Sequence, residues 1–353
     1  MTDVASPPER AHDEIVEPSR LAPGRRLLVT VVKSREMSVV VILGLLILAT
    51  TLKSPSFLLN ANSWRDLLLT PAMMMLLATG EAVVIITRNV DLSVGSVLGV
   101  TAYLTGRLFV DQPGIPIVLV VLIGIGVGAG LGLVNGLVVA LGKVPSLVIT
   151  LGTLYIFRGV VLTWAGSNRI NASDMNSSFL GLGTAQVLSI PVLFLVALAV
   201  LLVVGYYLHT ARGGRELYAI GSDPDAAVLY GLRVRRRVIG AFLVSGALAG
   251  LAGVVYAARY GTVSSGAGNG MELEAVAAVV IGGVAIFGGS GTVWGAALGA
   301  ILLVTINRAL PILGIPDFWQ QALVGVLILA SIVLDRVLSR RQARQFDEAR
   351  EES

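Results

Sequence analysis

The sequence of 353 residues contains no cysteine and only two histidines. A disulfide framework and thiolate chemistry are therefore excluded. His12 lies in the N-terminal stretch and His209 at the edge of an apolar run, so no histidine metal cluster can be assembled. Charge is scarce as well. Asp, Glu, Lys and Arg make up 14% of the chain, against about a quarter in a soluble domain. Aromatic residues are only 6%. A phosphate-binding loop, which needs G-x-x-x-x-G-K-[ST] to cradle phosphates on backbone N–H groups, is missing. The nearest string, "GLVVALGKV" from Gly136, has the wrong spacing and a valine after its lysine. No nucleophile, base and metal constellation stands out, which argues against a membrane enzyme. If ATP drives what this chain does, another chain burns it.

What is abundant is apolar. Hydrophobic residues are 55% of the chain, mean hydropathy is +0.83, and glycine occurs 41 times. These values describe an all-α integral membrane protein whose fold is set by the bilayer. The glycine fits helices packed closely through small residues. Ten membrane segments are expected, at about 38–52, 66–86, 93–110, 116–141, 145–165, 188–208, 238–258, 273–288, 292–310 and 317–335. Two of them, 273–288 and 292–310, are short or interrupted by glycine, so the count is eight to ten. Residues 1–36 read as a disordered cytoplasmic tail, 37–336 as the membrane domain and 337–353 as a charged cytoplasmic tail. The first residues lack the basic start and apolar run of a secretory signal. With both termini inside, most of the 26 basic residues fall on the cytoplasmic side, as the positive-inside rule requires. An even number of spans follows. The net charge of +4 is thus a matter of topology and not of nucleic-acid binding. The polar loop 166–187 comes out extracytoplasmic, and the loop 209–237 is the longest cytoplasmic connection.

Two breaks interrupt the apolar runs. "TRNVDLSVGS", Thr87 to Ser96, places Arg88 at the cytoplasmic end of one span and Asn89, Asp91 and Ser93 at the start of the next. Asp91 or Ser93 can cap that helix. The stretch reads either as a capped tight turn or as a turn that dips into the bundle and lines a polar path. Irregular backbone survives at membrane depth only inside protein or beside a water-filled cavity. "FGGSGTVWG", Phe287 to Gly295, is the second break. Paired interruptions suggest two weakly repeated halves with a pathway between them. Other polar groups within spans are Glu81, Asn135, Thr153, Arg158, Glu274 and Asn307. Intramembrane polar residues of this kind are pathway candidates. Each also has a plainer reading. Arg158 can snorkel to the outer interface, Glu274 can lie in the loop before its span, and the asparagines can bond neighbouring helices. The set carries too little charge for a proton relay or a strong cation site, and suits a neutral polar solute.

In "GRELYAIGSDPDAAVLYGLRVRRR", Gly214 to Arg237, Ser222 followed by Asp225 reads as a capping box. Pro224 fits the first turn, and Gly231 stops the helix. The two-turn helix carries Ala226, Ala227, Leu229 and Tyr230 and is too short to stand alone. It needs a surface, either its own membrane domain or a groove on a separate cytoplasmic subunit. Arg235, Arg236 and Arg237 anchor the next span.

Four motifs in this order resemble a known family: "RNVDLSVGS" (88–96), "LVNGLVVALGKVPSLVITLGTLYIFRGV" (133–160), "GRELYAIGSDPDAAVLYGLRV" (214–234) and "ELEAVAAVVIGGVAIFGGSGTVWGAALGA" (272–300). The sequence resembles the membrane permeases of bacterial sugar-type ABC importers, in the ribose-permease branch, over roughly residues 38–336. "RGVVLTWAG" and "IPDFWQQALVGVLILASIVLD" look closest to rhamnose and autoinducer-2 import permeases. Asn89 and Val90 replace the glycine or isoleucine usual in the first motif, a departure associated with the same subgroup. The resemblance implies a multi-pass protein of the bacterial inner membrane working beside a second permease, identical or related. It implies a cytoplasmic ATPase, an extracytoplasmic sugar-binding protein, and no cofactor of its own. It places ATPase docking on Gly214, Arg215, Ala219, Gly221, Ser222, Pro224, Ala226, Ala227, Leu229 and Gly231. The competing expectation is an ion-coupled secondary carrier, which would need a clustered carboxylate or carbonyl site for its ion.

Overall fold

A computed structural model describes residues 35–142, 144–316, 319–327, 329–330 and 333. Both expected tails, apart from residues 35 and 36, lie outside the described residues. The chain is almost entirely helical. In order the elements are α1 (Arg35–Lys53), α2 (Ser56–Leu59), α3 (Ala61–Leu69), α4 (Pro71–Ile86), α5 (Val94–Asp111), α6 (Ile117–Gly142) and α7 (Ser146–Ala165). After a 3-10 turn come α8 (Ser177–Leu182) and a small hairpin of β1 (Gln186–Val187) and β2 (Ile190–Pro191). Then follow α9 (Val192–Thr210), α10 (Arg212–Ser222), α11 (Pro224–Leu229), α12 (Val234–Tyr260), α13 (Met271–Ile281) and α14 (Val293–Leu313).

Seven helices among the described residues are long and apolar enough to cross a bilayer: Glu36–Lys53, Asn62–Ile86, Ile117–Gly142, Ser146–Ala165, Val192–Thr210, Val234–Tyr260 and Val293–Leu313. Helix α5 occupies the expected segment 93–110. The segment 273–288 is corrected. Its helix, α13, has 11 residues, about 16 Å at 1.5 Å per residue and half the thickness of a hydrocarbon core. The glycines that follow Ile281 end it. Residues 319–327 are helical, and the remainder of the 317–335 segment is only partly described.

The core is built around α4, in which every residue from Pro71 to Ile86 is buried. Helices α12, α14, α9 and α13 pack against it, while α1, α6, α7 and the outer side of α9 turn apolar side chains outward, as lipid-facing helices do. Helices α6 and α12 pack antiparallel along their glycines. Gly124 faces Gly250 and Val254, Gly128 and Gly132 face Gly246, and Gly136 faces Ile239 and Phe242. The i, i+4 spacing places these glycines on one helix face, and the missing side chains let the two backbones touch.

The antiparallel packing defines two ends. Gly142 and Val234 lie at one, with Arg88, Arg212, Arg215, Arg233 and Arg235 to Arg237, here called the basic end. Tyr260, Ile170 and Val263 lie at the opposite end, where Ile170 and Val263 exchange backbone hydrogen bonds of 3.0 and 2.9 Å. The polar loop 166–187 belongs to this opposite end.

Candidate functional site

Both sequence breaks are breaks in the structure. After Ile86 the chain turns through Arg88, which sits in the left-handed region at φ 66°. The Asn89 amide donates to the Thr87 carbonyl at 2.9 Å and holds this turn. The turn then dives into the bundle. The Asp91 N–H donates to Glu81 Oε1 at 3.0 Å. Asp91 Oδ1 accepts the Ser93 N–H at 3.0 Å and the Ser93 hydroxyl at 2.6 Å, and Asp91 Oδ2 accepts from the Ser245 hydroxyl at 3.4 Å. Asn135 Nδ2 donates to Ser93 Oγ at 2.7 Å. Glu81, Asp91, Ser93, Asn135 and Ser245 are all at most 1% exposed. Four elements, α4, the break, α6 and α12, are thus tied by one polar knot in the interior. Helix α7 holds the same break from another side. Ser146 Oγ accepts the Val90 N–H at 3.1 Å, and the Thr150 hydroxyl donates to the Val90 carbonyl at 3.2 Å.

Of the candidates read from sequence, Asp91, Ser93 and Asn135 come together here, and Asn89 stands beside them. Ser93 occupies the N-cap position of α5 but makes no side-chain cap bond. Asp91 takes the Ser93 N–H just ahead of the helix instead. Thr153 bonds its own helix through the Thr150 carbonyl at 3.2 Å. Asn307, on α14, leaves Oδ1 buried without a partner and shares no hydrogen bond with the knot. Sequence reading missed Ser245 and Glu272, and it did not join Glu81 to Asp91. A serine in a glycine-rich helix carries no signal until the helix facing it is known.

A second polar station lies deeper along α5. Gly106 packs against Ile170 at the opposite end, while Gly95 packs against the backbone of Gly268. Eleven residues of α5 separate these contacts, about 16 Å. The loop 261–270 therefore descends to mid-depth before α13 begins. Arg158 does not snorkel outward. Its Nη1 donates to the Ala267 carbonyl of that loop at 2.7 Å. Glu272, and not Glu274, is the buried acid of α13, at 8% exposure. Glu274 is half-buried, and its N–H bonds the Gly270 carbonyl at 3.4 Å.

At the basic end the second break, Gly282 to Thr292, returns the chain. Gly283, Gly288, Gly289 and Gly291 all have positive φ there, a conformation that side-chain-bearing residues rarely adopt. The Gly289 N–H donates to the Ile86 carbonyl at 3.0 Å, and Gly288 lies against the Arg88 backbone. The two breaks, two hundred residues apart in sequence, are in direct contact. Helix α10 completes the meeting point. Its Gly221 faces the Ile86 carbonyl and the Gly289 N–H, Ser222 lies against Gly289, and the Tyr218 hydroxyl donates to the Gly291 carbonyl at 3.0 Å. A cleft of about 490 Å³ opens beside this point, between Thr87 to Val90, Pro145, Ser146, Ile220 and Pro224.

The segment 212–231 divides into two faces. Gly214, Gly221 and Ala227 are buried on their own chain, and Pro224 and Ala226 are half-buried. Arg215, Ala219, Ser222, Leu229 and Gly231 are exposed. The exposed tip also includes Tyr230 and Val228, the latter not named in the sequence reading. Leu229 is 88% exposed and Tyr230 86%. The expected capping box is corrected: Ser222 ends α10, and Asp223 is the N-cap of α11, accepting from the Asp225 and Ala226 N–H groups at 3.0 Å each. Pro224 at the first helical position forces the cap onto the residue directly before it. Glu216 ties the segment to α12, at 2.7 Å from Arg237 and 2.9 Å from Arg212. The hydrogen bond from Arg237, then that from Arg212, holds the Glu216 carboxyl below the usual glutamate range.

Comparison with known proteins accords with this arrangement. Residues 64–332 match the family described as branched-chain amino acid transport system / permease component. The chain is 34% identical over 315 residues to the autoinducer 2 import system permease protein of Enterobacter sp. (strain 638), covering 89% of this chain and 90% of the relative. It is 33% identical over 287 residues to the D-allose transport system permease protein of Escherichia coli (strain K12), covering 81% and 87%. It is 35% identical over 294 residues to the ribose import permease protein of Bacillus subtilis (strain 168), covering 83% and 90%. No solved structure matches the chain.

Proposed function

Because the chain belongs to the branched-chain amino acid transport system / permease component family, we propose that it is the membrane subunit of an ATP-driven importer for a monosaccharide-like solute. The names of its relatives, permeases of autoinducer 2 import, D-allose transport and ribose import, support that solute class. A separate cytoplasmic ATPase supplies the energy, an extracytoplasmic binding protein delivers the solute, and a second permease, identical or related, completes the pathway. The protein resides in the bacterial inner membrane with its basic end and both termini in the cytoplasm. The arginines gathered at the basic end support this orientation.

One observation carries the mechanism. A short helical tip with Val228, Leu229 and Tyr230 bare to solvent is joined through α10 to the point where both helix breaks touch. An apolar tip of this kind fits a groove on a partner subunit. Glu216, bonded to Arg212 and Arg237, keeps the tip and the start of α12 moving together. Force applied to α11 passes along α10 to Gly221, and from there to the Ile86 carbonyl and the Gly289 N–H. Both breaks shift together, which opens one side of the pathway and closes the other. Asp91, Ser93, Asn135, Arg158 and their neighbours line that pathway in this reading.

The test is reconstitution. Permease, ATPase and binding protein in proteoliposomes should take up labelled D-ribose or D-allose only when ATP is present. Uptake by the permease alone under an ion gradient would contradict the reading and favour a secondary carrier.

A further inference from the structure

The polar knot around Asp91 leaves two buried acceptors open, Glu81 Oε2 and Asn135 Oδ1, whereas the station beside α13 leaves one acceptor and one donor. Glu272 Oε1 accepts the Gly270 N–H at 3.2 Å, but Glu272 Oε2 is buried without any partner. Arg158 Nη1 reaches the Ala267 carbonyl, but Arg158 Nη2 is likewise buried and unpartnered. A buried charged group left without hydrogen bonds is costly. Glu272 and the half-buried Arg158 each hold one hydrogen bond and leave one further buried atom for a third party to satisfy.

The geometry says where that party sits. Glu272 Oε2 lies over Gly95, in the space a side chain there would fill, and Arg158 Nη1 lies 3.2 Å from where a Gly99 side chain would begin. Gly95 and Gly99 are one turn apart on one face of α5, about 6 Å along the helix. The carboxylate and the guanidinium are thus held on adjacent turns of a glycine face of α5, against which the Gly268 and Ala267 carbonyls also pack. The loop 261–270 places this face near mid-depth in the bundle, the depth at which transporters hold their solute.

The chemistry selects the occupant. A free carboxylate oxygen accepts a hydroxyl hydrogen, and a free guanidinium N–H donates to a hydroxyl or ring oxygen. Vicinal hydroxyls on one solute do both at once. The pair is neutral overall, so a charged solute gains nothing from it. An apolar solute would leave both groups unsatisfied and be rejected strongly. We propose that Arg158 and Glu272 together form a recognition site for adjacent hydroxyl groups of the transported solute. This deepens the importer reading and rests on it.

The experiment uses the complete system of permease, ATPase and binding protein in proteoliposomes, with labelled D-ribose and D-allose as probes. Glu272→Gln and Arg158→Gln should each lower uptake about tenfold or more, with the permease–ATPase complex still recovered in wild-type amount. The double variant R158Q/E272Q removes both charges, so it restores electrostatic balance if the pair is only a structural tie. It should remain deficient in uptake. Glu272→Asp withdraws the carboxylate by one methylene and should change the ratio of ribose to allose uptake about threefold or more. Uptake within about twofold of wild type in both single variants would overturn the site. So would recovery in the double variant or an unchanged sugar ratio in E272D. A wild-type system that hydrolyses ATP yet moves neither sugar would overturn the solute class and this site with it. Uptake independent of ATP would instead overturn the importer reading beneath it.

Discussion

Gly221 and Ile86 meet backbone to backbone. The Ile86 carbonyl, which also accepts the Gly289 N–H at 3.0 Å, occupies the space where any side chain on residue 221 would begin. The neighbours are main chain on both sides, so no side-chain rotation can relieve an intrusion there.

Gly221→Ala therefore forces α10 away from the two breaks. Overpacking of this kind costs about 1–3 kcal/mol. The expected result is a permease that still reaches the membrane and still binds its ATPase, with solute uptake reduced about tenfold and ATP hydrolysis no longer answering to the binding protein. Gly240→Ala is the control, because nothing lies within 4 Å of a side chain there. Uptake assays and ATPase assays on the two variants decide the matter.

The seam between α6 and α12 gives a sharper contrast within one helix. Gly128 lies against the Gly246 carbonyl and Gly250, whereas Gly130, two residues on, has open space around it. Gly128→Val should destabilise the protein by about 1–3 kcal/mol, read as a lower melting temperature in detergent. Gly130→Ala should raise it slightly, since alanine favours a helix interior by about 1 kcal/mol over glycine. Equal effects at both positions would contradict the packing described.

Acid should loosen the handle before it touches the bundle. Arg237 and Arg212 hold the Glu216 carboxyl below its ordinary value. Its folded pKa is thus lower than its unfolded one, near 4.3. The stabilisation is present above the unfolded value and is lost as pH falls through the folded one. Melting temperature measured from about pH 6 down to pH 3 should fall more steeply for wild type than for Glu216→Gln. Superimposable profiles would show that the two ion pairs contribute nothing.

Much of this was legible in the sequence. Arginine, asparagine and aspartate beside apolar runs mark the first break, and the glycines from 282 to 291 mark the second, because each residue type has a local conformational cause. The short helix α11 was legible too, though its cap was misread by one residue. Ser222 and Asp223 both favour caps, and only the path of α10 decides between them. Depth in the membrane was not legible. Hydropathy cannot show that loop 261–270 descends to Gly95, so Glu272 and Glu274 looked alike until α13 had a fixed phase. Ser245 and Asp91 are 154 residues apart, and Gly221 and Ile86, also far apart in sequence, meet where no local pattern reports.

The exposed tip is where a motor would act, and the absence of cysteine from the chain makes it directly addressable. Leu229→Cys introduces a single thiol on a side chain that is 88% exposed. A short maleimide–diazirine cross-linker attached to this thiol should, on illumination of the assembled importer, join the residue to the ATPase subunit, and a membrane-impermeant maleimide should fail to label it in intact cells. No cross-link to the ATPase, or labelling from the outside, would contradict the account.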